Sequence, residues 1–154
     1  GFTGKKPFSR FWVHVAMVCY DGEKMSKSLG NMVFAREVLR SHSADALRLY
    51  LHSNHYRETF EYQDDGPARY EQLASDLKKA SRIDSEGEGE LDLQEFSDEF
   101  FDALKDDLNT PVAVEVLGRM TSEVIERAVA GESVGRAQDQ LRVAASMFGM
   151  QGTR

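Results

Sequence analysis

A chain of 154 residues with 41% hydrophobic and 29% charged residues has the composition of a folded globular protein, long enough to bury a core without staples. Its single cysteine, Cys19, excludes an internal disulfide and any thiolate metal cluster built from this chain alone. The formal net charge of -7 disfavours a polyanionic partner except where lysine and arginine cluster locally.

The opening GFTGKKPFSR has no secretory-signal pattern and no apolar run is long enough to span a bilayer, so a cytoplasmic location without a membrane partner is expected. Lys5, Lys6, Arg10, Lys24 and Lys27 gather positive charge, while acid concentrates between Asp84 and Asp107. From Phe11 to Tyr20, Val13, Val15, Met17 and Cys19 alternate with Trp12, His14, Ala16, Val18 and Tyr20. That pattern predicts a strand apolar on both faces, with Trp12 in the core. No partner for it can be identified in the chain, so it reads as the last strand of a sheet whose other members are missing. Asp21-Gly22 breaks it, and the polar segment from Asp21 to Asn31, with Gly22 and Gly30, predicts an exposed, mobile loop.

Helical patterns follow. Phe34, Val38 and Leu39 have helical spacing, and Ser43 can cap a helix whose shared face is Ala46, Leu47, Tyr50 and Leu51. Residues from His52 to Tyr62 break the period and predict a turn and an extended stretch. Asp64 or Asp65 is the expected cap of a third helix with Tyr70, Leu73, Leu77 and Ala80 inward, ending near Ile83. The acidic run from Asp84 to Glu90 reads as a solvated connection. Beyond it, Leu93, Phe96, Phe100, Phe101, Leu104 and Leu108 form one apolar stripe, and Thr110-Pro111 reads as a cap followed by a proline that opens the next helix. Val112, Val116, Leu117, Met120, Val124 and Ala128 carry that helix to Gly131, and Leu141, Ala144, Ala145 and Phe148 define a last one after Gly135. The fold class is mainly α, and antiparallel bundle packing is the economical way to bury these stripes.

Chemistry points to Lys24-Met25-Ser26-Lys27-Ser28, flanked by Gly22 and Gly30. Two ammonium groups three positions apart can reach neighbouring phosphate oxygens, while Ser26, Ser28 and free backbone amides donate hydrogen bonds. Neither a P-loop nor a dinucleotide fingerprint is present. The histidines His14, His42, His52 and His55 lack Cys or Glu partners at ligand spacing, so no metal site is expected from them, and Cys19 reads as a small hydrophobe.

All five loop positions, in DGEKMSKSLGN directly after an apolar strand, resemble the KMSKS signature of class I aminoacyl-tRNA synthetases. Three further segments resemble the cysteinyl-tRNA synthetase family: Phe11-Trp12-Val13-His14-Val15-Ala16-Met17-Val18, with Ala16 where glycine is frequent; Leu51-His52-Ser53-Asn54-His55-Tyr56-Arg57; and Asp106-Asp107-Leu108-Asn109-Thr110-Pro111. Asp45-Ala46-Leu47-Arg48 spells the DALR letters of related helical anticodon-binding domains, although an amphipathic helix explains those residues equally.

The resemblance implies that residues 1–62 are the C-terminal end of a Rossmann-type catalytic domain, with a stem-contact region near 32–62, and that residues 63–154 are a helical bundle of anticodon-binding type. It implies cysteine, ATP with magnesium and tRNA(Cys) as substrates and partners. Lys27 and Lys24 would be catalytic, Met25, Ser26 and Ser28 would complete the ATP-binding loop, and His55 and Arg57 would face tRNA. An alternative for Arg57 is a tie between its turn and a neighbouring acid. The HIGH motif and the zinc site of the parent enzyme are expected in an N-terminal half preceding Gly1, so the chain alone is expected to be inactive. Two other readings stay open: a part of the related mycothiol-pathway ligase, which joins cysteine to an amino sugar, and a stand-alone helical module that binds tRNA or protein.

Overall fold

The computed structural model describes Gly4 and residues 6–84 and 88–150. Residues 1–3 of the opening segment, Lys5 of the basic cluster and residues 85–87 of the acidic connection lie outside the described residues. The protein is mainly helical, with short strands at two places. No helix among the described residues is long and apolar enough to cross a membrane.

Asp21 and Gly22 form a two-residue hairpin turn, with φ of 55° and 75°. Positive φ at both central positions matches the twist of paired strands, and aspartate-glycine meets that demand cheaply. The turn folds β1, Val18–Tyr20, antiparallel onto β2, Glu23–Lys24, with Cys19 opposite Lys24. On the other edge, β3, Phe60–Glu61, lies parallel to β1 with Val18 opposite Phe60. Both outcomes correct the sequence expectation. The strand has two partners, and the start of the expected loop is itself a strand. The strand is also shorter than predicted, because residues 11–17 have no regular structure. Val13 and Val15 are exposed, and Trp12, expected in the core, is 74% exposed.

Two helices follow. α1 is a single turn, Ala35–Val38, and α2 is Ala44–His52, where Ser43 accepts a hydrogen bond from Ala46 N as expected of its cap. The buried face of α2 is Ala46, Leu49 and Tyr50, whereas Leu51, expected inward, is exposed. α2 therefore belongs to two cores. Ala46 and Leu49 join the main helical core, and Tyr50 joins a smaller cluster with Val38 and Tyr62, against which Val18, Met25 and Phe60 pack. Edge-on rings at 5.6 Å (Tyr50 to Tyr62) and 6.2 Å (Tyr50 to Phe60) fill that cluster.

A 3-10 turn over Pro67–Tyr70 leads into α3, Glu71–Ala80. Neither Asp64 nor Asp65 caps it: Asp64 accepts from the Tyr20 hydroxyl at 3.1 Å and Asp65 pairs with Arg69. Proline at the first position of the 3-10 turn starts the helical segment without a side-chain cap. Gly66, just before it, lies directly under the Tyr50 ring, and a Cβ there would overlap ring carbons. Gly66→Ala is expected to lower stability by about 1–3 kcal/mol through overpacking, as a urea titration would show.

α4 is Gln94–Lys105, α5 is Thr110–Val129 and α6 is Gly135–Met147. α5 runs through the middle, in contact with α2, α3, α4 and α6. Its Val116, Leu117, Met120 and Val124 are fully buried with Phe100 of α4 and Leu141 of α6. The cap of α5 is Asn109, which accepts from Val112 N at 3.4 Å, one position earlier than the expected Thr110. Leu108, expected in the apolar stripe, is 51% exposed and has φ of 54°, outside α4. The acidic connection is also more ordered than expected at its end. There β4, Glu88–Glu90, pairs in parallel with β5, Glu132–Ser133. Gln138 closes the end of α3 by donating to the carbonyls of Ala80 and Ile83, both at 2.8 Å.

Candidate functional site

The hairpin delivers Lys24 at the end of β2, and Met25 N–H then donates to Val18 O at 2.9 Å. Met25 packs its side chain on the aromatic cluster and so anchors the loop, whereas Leu29 is exposed. Asn31 closes the other side: its Oδ1 accepts from Ser26 N at 2.8 Å and its Nδ2 donates to Lys24 O at 3.3 Å. Within the loop, Ser26 Oγ accepts from Leu29 N at 3.3 Å and lies 3.2 Å from Ser28 Oγ, and Gly30, with φ of 70°, donates to Lys27 O at 3.3 Å. Gly22 N also donates to Glu61 Oε1 at 3.0 Å, tying the hairpin turn to β3.

The result is a backbone held at both ends with its charged side chains exposed. The side-chain ammonium groups of Lys24 and Lys27 have no hydrogen-bond or ion-pair partner among the described residues. That contrasts with Lys105, which donates to Asp102 at 2.8 Å. Two unpaired ammonium groups on one fixed turn suit a ligand carrying several negative oxygens. Asn31 was visible in the sequence at the end of the motif, but nothing in its spacing announced its bridging role.

The turn after α2 forms a second constellation. Arg57 grips Asp107 through Nε to Oδ2 at 2.5 Å and Nη2 to Oδ1 at 2.9 Å, and Tyr56 OH donates to Oδ1 at 2.6 Å. His55 Nδ1 accepts from Arg57 N at 3.3 Å, which leaves Nε2 protonated to donate to Asp107 O at 3.1 Å. Arg57 therefore does tie its turn to an acid, and the acid is Asp107, fifty residues away. Its Nη1 makes no hydrogen bond among the described residues, and the side chain is 58% exposed.

The Arg57 fork, then the Tyr56 hydroxyl, hold the Asp107 carboxyl well below its ordinary value of 3.8. A depressed folded-state value means that the contribution to stability is complete above about pH 4 and is lost as pH falls towards the folded value. The urea-midpoint difference between wild type and Asp107→Asn is thus expected to stay constant from pH 7 to about pH 4 and to shrink below it. Tyr56 and Tyr20 are both pushed up, chiefly by donating to Asp107 and Asp64 respectively. His52, packed 4.7 Å from the Phe148 ring, is pushed down by burial first and by Arg48 second.

Among the described residues no group of three or more His, Cys, Asp or Glu could hold a metal ion. His42 lies beside Glu71 at 3.6 Å, and Cys19 is half-buried as a free thiol. Among the described residues there is no fitting ligand set for the zinc implied by the resemblance.

Residues 2–70 match the family described as tRNA synthetases class I (C) catalytic domain. The hairpin, the loop and the turn carrying Arg57 thus lie in a class I synthetase catalytic region. The cysteine--tRNA ligase of Paramagnetospirillum magneticum is 36% identical over 150 residues, covering 94% of this chain and 31% of that protein. The corresponding ligase of Pyrobaculum islandicum is 38% identical over 135 residues, covering 80% and 28%, and that of Parvibaculum lavamentivorans is 40% identical over 114 residues, covering 74% and 24%. The chain belongs to the cysteinyl-tRNA synthetase family. It spans less than a third of the length of these relatives.

Proposed function

We propose that this chain is the part of a cytoplasmic cysteine--tRNA ligase that brings the phosphate-handling loop and the tRNA-facing helices to an active site completed by an N-terminal half. The observation that carries this reading is the pair of unpaired lysines, Lys24 and Lys27, on a loop fixed by Met25 and Asn31. In the first step a carboxylate oxygen of cysteine attacks the α-phosphorus of ATP, the bond from that phosphorus to its bridging oxygen breaks, and pyrophosphate leaves. Lys27 neutralises the charge growing on the leaving oxygens, Lys24 assists, and Ser26, Ser28 and the Met25 backbone shape the ATP-binding turn. Magnesium accompanies the nucleotide as part of the substrate. The second step moves the cysteinyl group from the adenylate to a tRNA(Cys) hydroxyl, with release of AMP.

In this reading residues 1–62 end a Rossmann-type catalytic domain, and residues 63–154 form an antiparallel bundle of anticodon-binding type. The exposed Arg57 Nη1, with His55 beside it, is the donor we assign to tRNA backbone phosphate. An assay of the complete enzyme tests the whole. Cysteine-dependent exchange of pyrophosphate into ATP followed by acylation of tRNA(Cys) supports the reading. Acylation of an amino sugar in place of tRNA, or tRNA binding without any cysteine activation, overturns it.

A further inference from the structure

We propose that Asp107 is a positioning residue that locks the helical core to the sheet carrying the Lys24–Ser28 loop, so that tRNA held by the helices meets the loop in one register. The inference rests on the function proposed above. Asp107 and Leu108, with φ of 50° and 54°, are consecutive non-glycine residues in left-handed backbone at the corner between α4 and α5. Such backbone is uncommon and persists where the surroundings over-determine it. Here the surroundings are the side chains of His55, Tyr56 and Arg57, which together engage both carboxylate oxygens and the carbonyl of Asp107.

The same turn is bonded onward to the sheet. Tyr56 O accepts from Ala16 N at 2.8 Å, and two residues later Val18 O accepts from Met25 N at 2.9 Å. A continuous series therefore runs from the head of α5 through Tyr56 and the approach to β1 into the second residue of the loop. A lone exposed ion pair imposes little geometry. A two-pronged arginine contact, a phenol and an imidazole converging on one residue fix direction as well as distance. The arrangement joins the two motifs, His55-Tyr56-Arg57 and Asp106 to Pro111, that the amino-acid sequence leaves fifty residues apart.

The test uses Asp107→Asn and Tyr56→Phe, alone and combined, in the complete synthetase. Asp107→Asn is expected to leave cysteine-dependent pyrophosphate exchange within about twofold of wild type and to lower kcat/KM for tRNA acylation about tenfold or more, since small misplacements of a reacting group are costly. Asp107→Glu should recover part of that loss. The double variant should be no worse than the worse single one, because both remove the same contact. In the present chain, amide exchange at Ala16 should quicken about tenfold in Asp107→Asn while Val116 in α5 keeps its protection. Equal loss of both catalytic steps with faster exchange throughout the helices would reduce Asp107 to a structural contact and overturn the proposal. Unchanged acylation with unchanged exchange at Ala16 would overturn it too. A wild-type enzyme that acylates no tRNA would instead end the functional reading, and Ala16 exchange, which needs no substrate, would still decide whether the lock exists.

Discussion

Lys27→Ala in the complete synthetase is expected to slow cysteinyl-adenylate formation about 100- to 1000-fold while cysteine binding stays near the wild-type level. The expectation follows from where the charge is needed. Ground-state ATP already carries its counterion, whereas the departing pyrophosphate gains charge only as the bond breaks, so a group that engages there raises the rate more than the affinity. Lys27 can serve because its ammonium group is uncommitted among the described residues and its backbone is held through Gly30 N to Lys27 O and the Asn31 bridge. Lys24→Ala should cost less, since Lys24 is fixed on β2 by its pairing with Cys19, whereas Lys27 lies in the turn beyond the strand. Single-turnover adenylation, measured with saturating cysteine, separates the two lysines. A rate for Lys27→Ala equal to wild type would remove that residue from the step.

Phe100→Ala should remove a large share of the folding free energy. Phe100 is fully buried on α4, edge-on to Phe101 at 5.4 Å and to Phe148 at 5.7 Å. It thus joins α4 to the end of α6 beside the central helix α5. Truncation of a buried phenylalanine costs about 3–5 kcal/mol, against a total stability of about 5–15 kcal/mol for a domain. The urea midpoint should fall steeply, and at 37 °C part of the population should be unfolded by circular dichroism. A midpoint within a tenth of wild type would show that the core around Phe100 can collapse onto the space.

The helical part was largely legible in the residues because its signals are local. Ser43 caps α2 as its spacing predicts, and the stripe of Leu141, Ala144, Ala145 and Phe148 is buried throughout. The errors at helix ends have physical causes. Leu108 leaves the stripe because the Asp107 lock turns the backbone left-handed, and Asn109 takes the cap because an amide oxygen there reaches Val112 N. The strand was harder to read. Alternating apolar residues from Phe11 to Cys19 predicted a full strand, but only Val18–Tyr20 pairs with other strands, Ala16 making a single bond to the Tyr56 carbonyl, and those strands are two residues long, too short to show a period.

The loop motif itself was plain in Lys24 to Ser28, since five fixed letters need no structure to be seen. Its supports were not. Asn31 acts through side-chain bonds to Ser26 and Lys24, and Asp107 acts across fifty residues of sequence, so neither leaves a periodic trace. The family resemblance pointed to both segments without saying that they touch.

Chemical labelling of lysines in the complete enzyme tests the central claim most directly. With ATP and cysteine present, Lys24 and Lys27 should become protected, while Lys105, held on Asp102 away from the loop, should react as it does in the free enzyme. Identical labelling of Lys24 and Lys27 with and without these substrates would contradict the account.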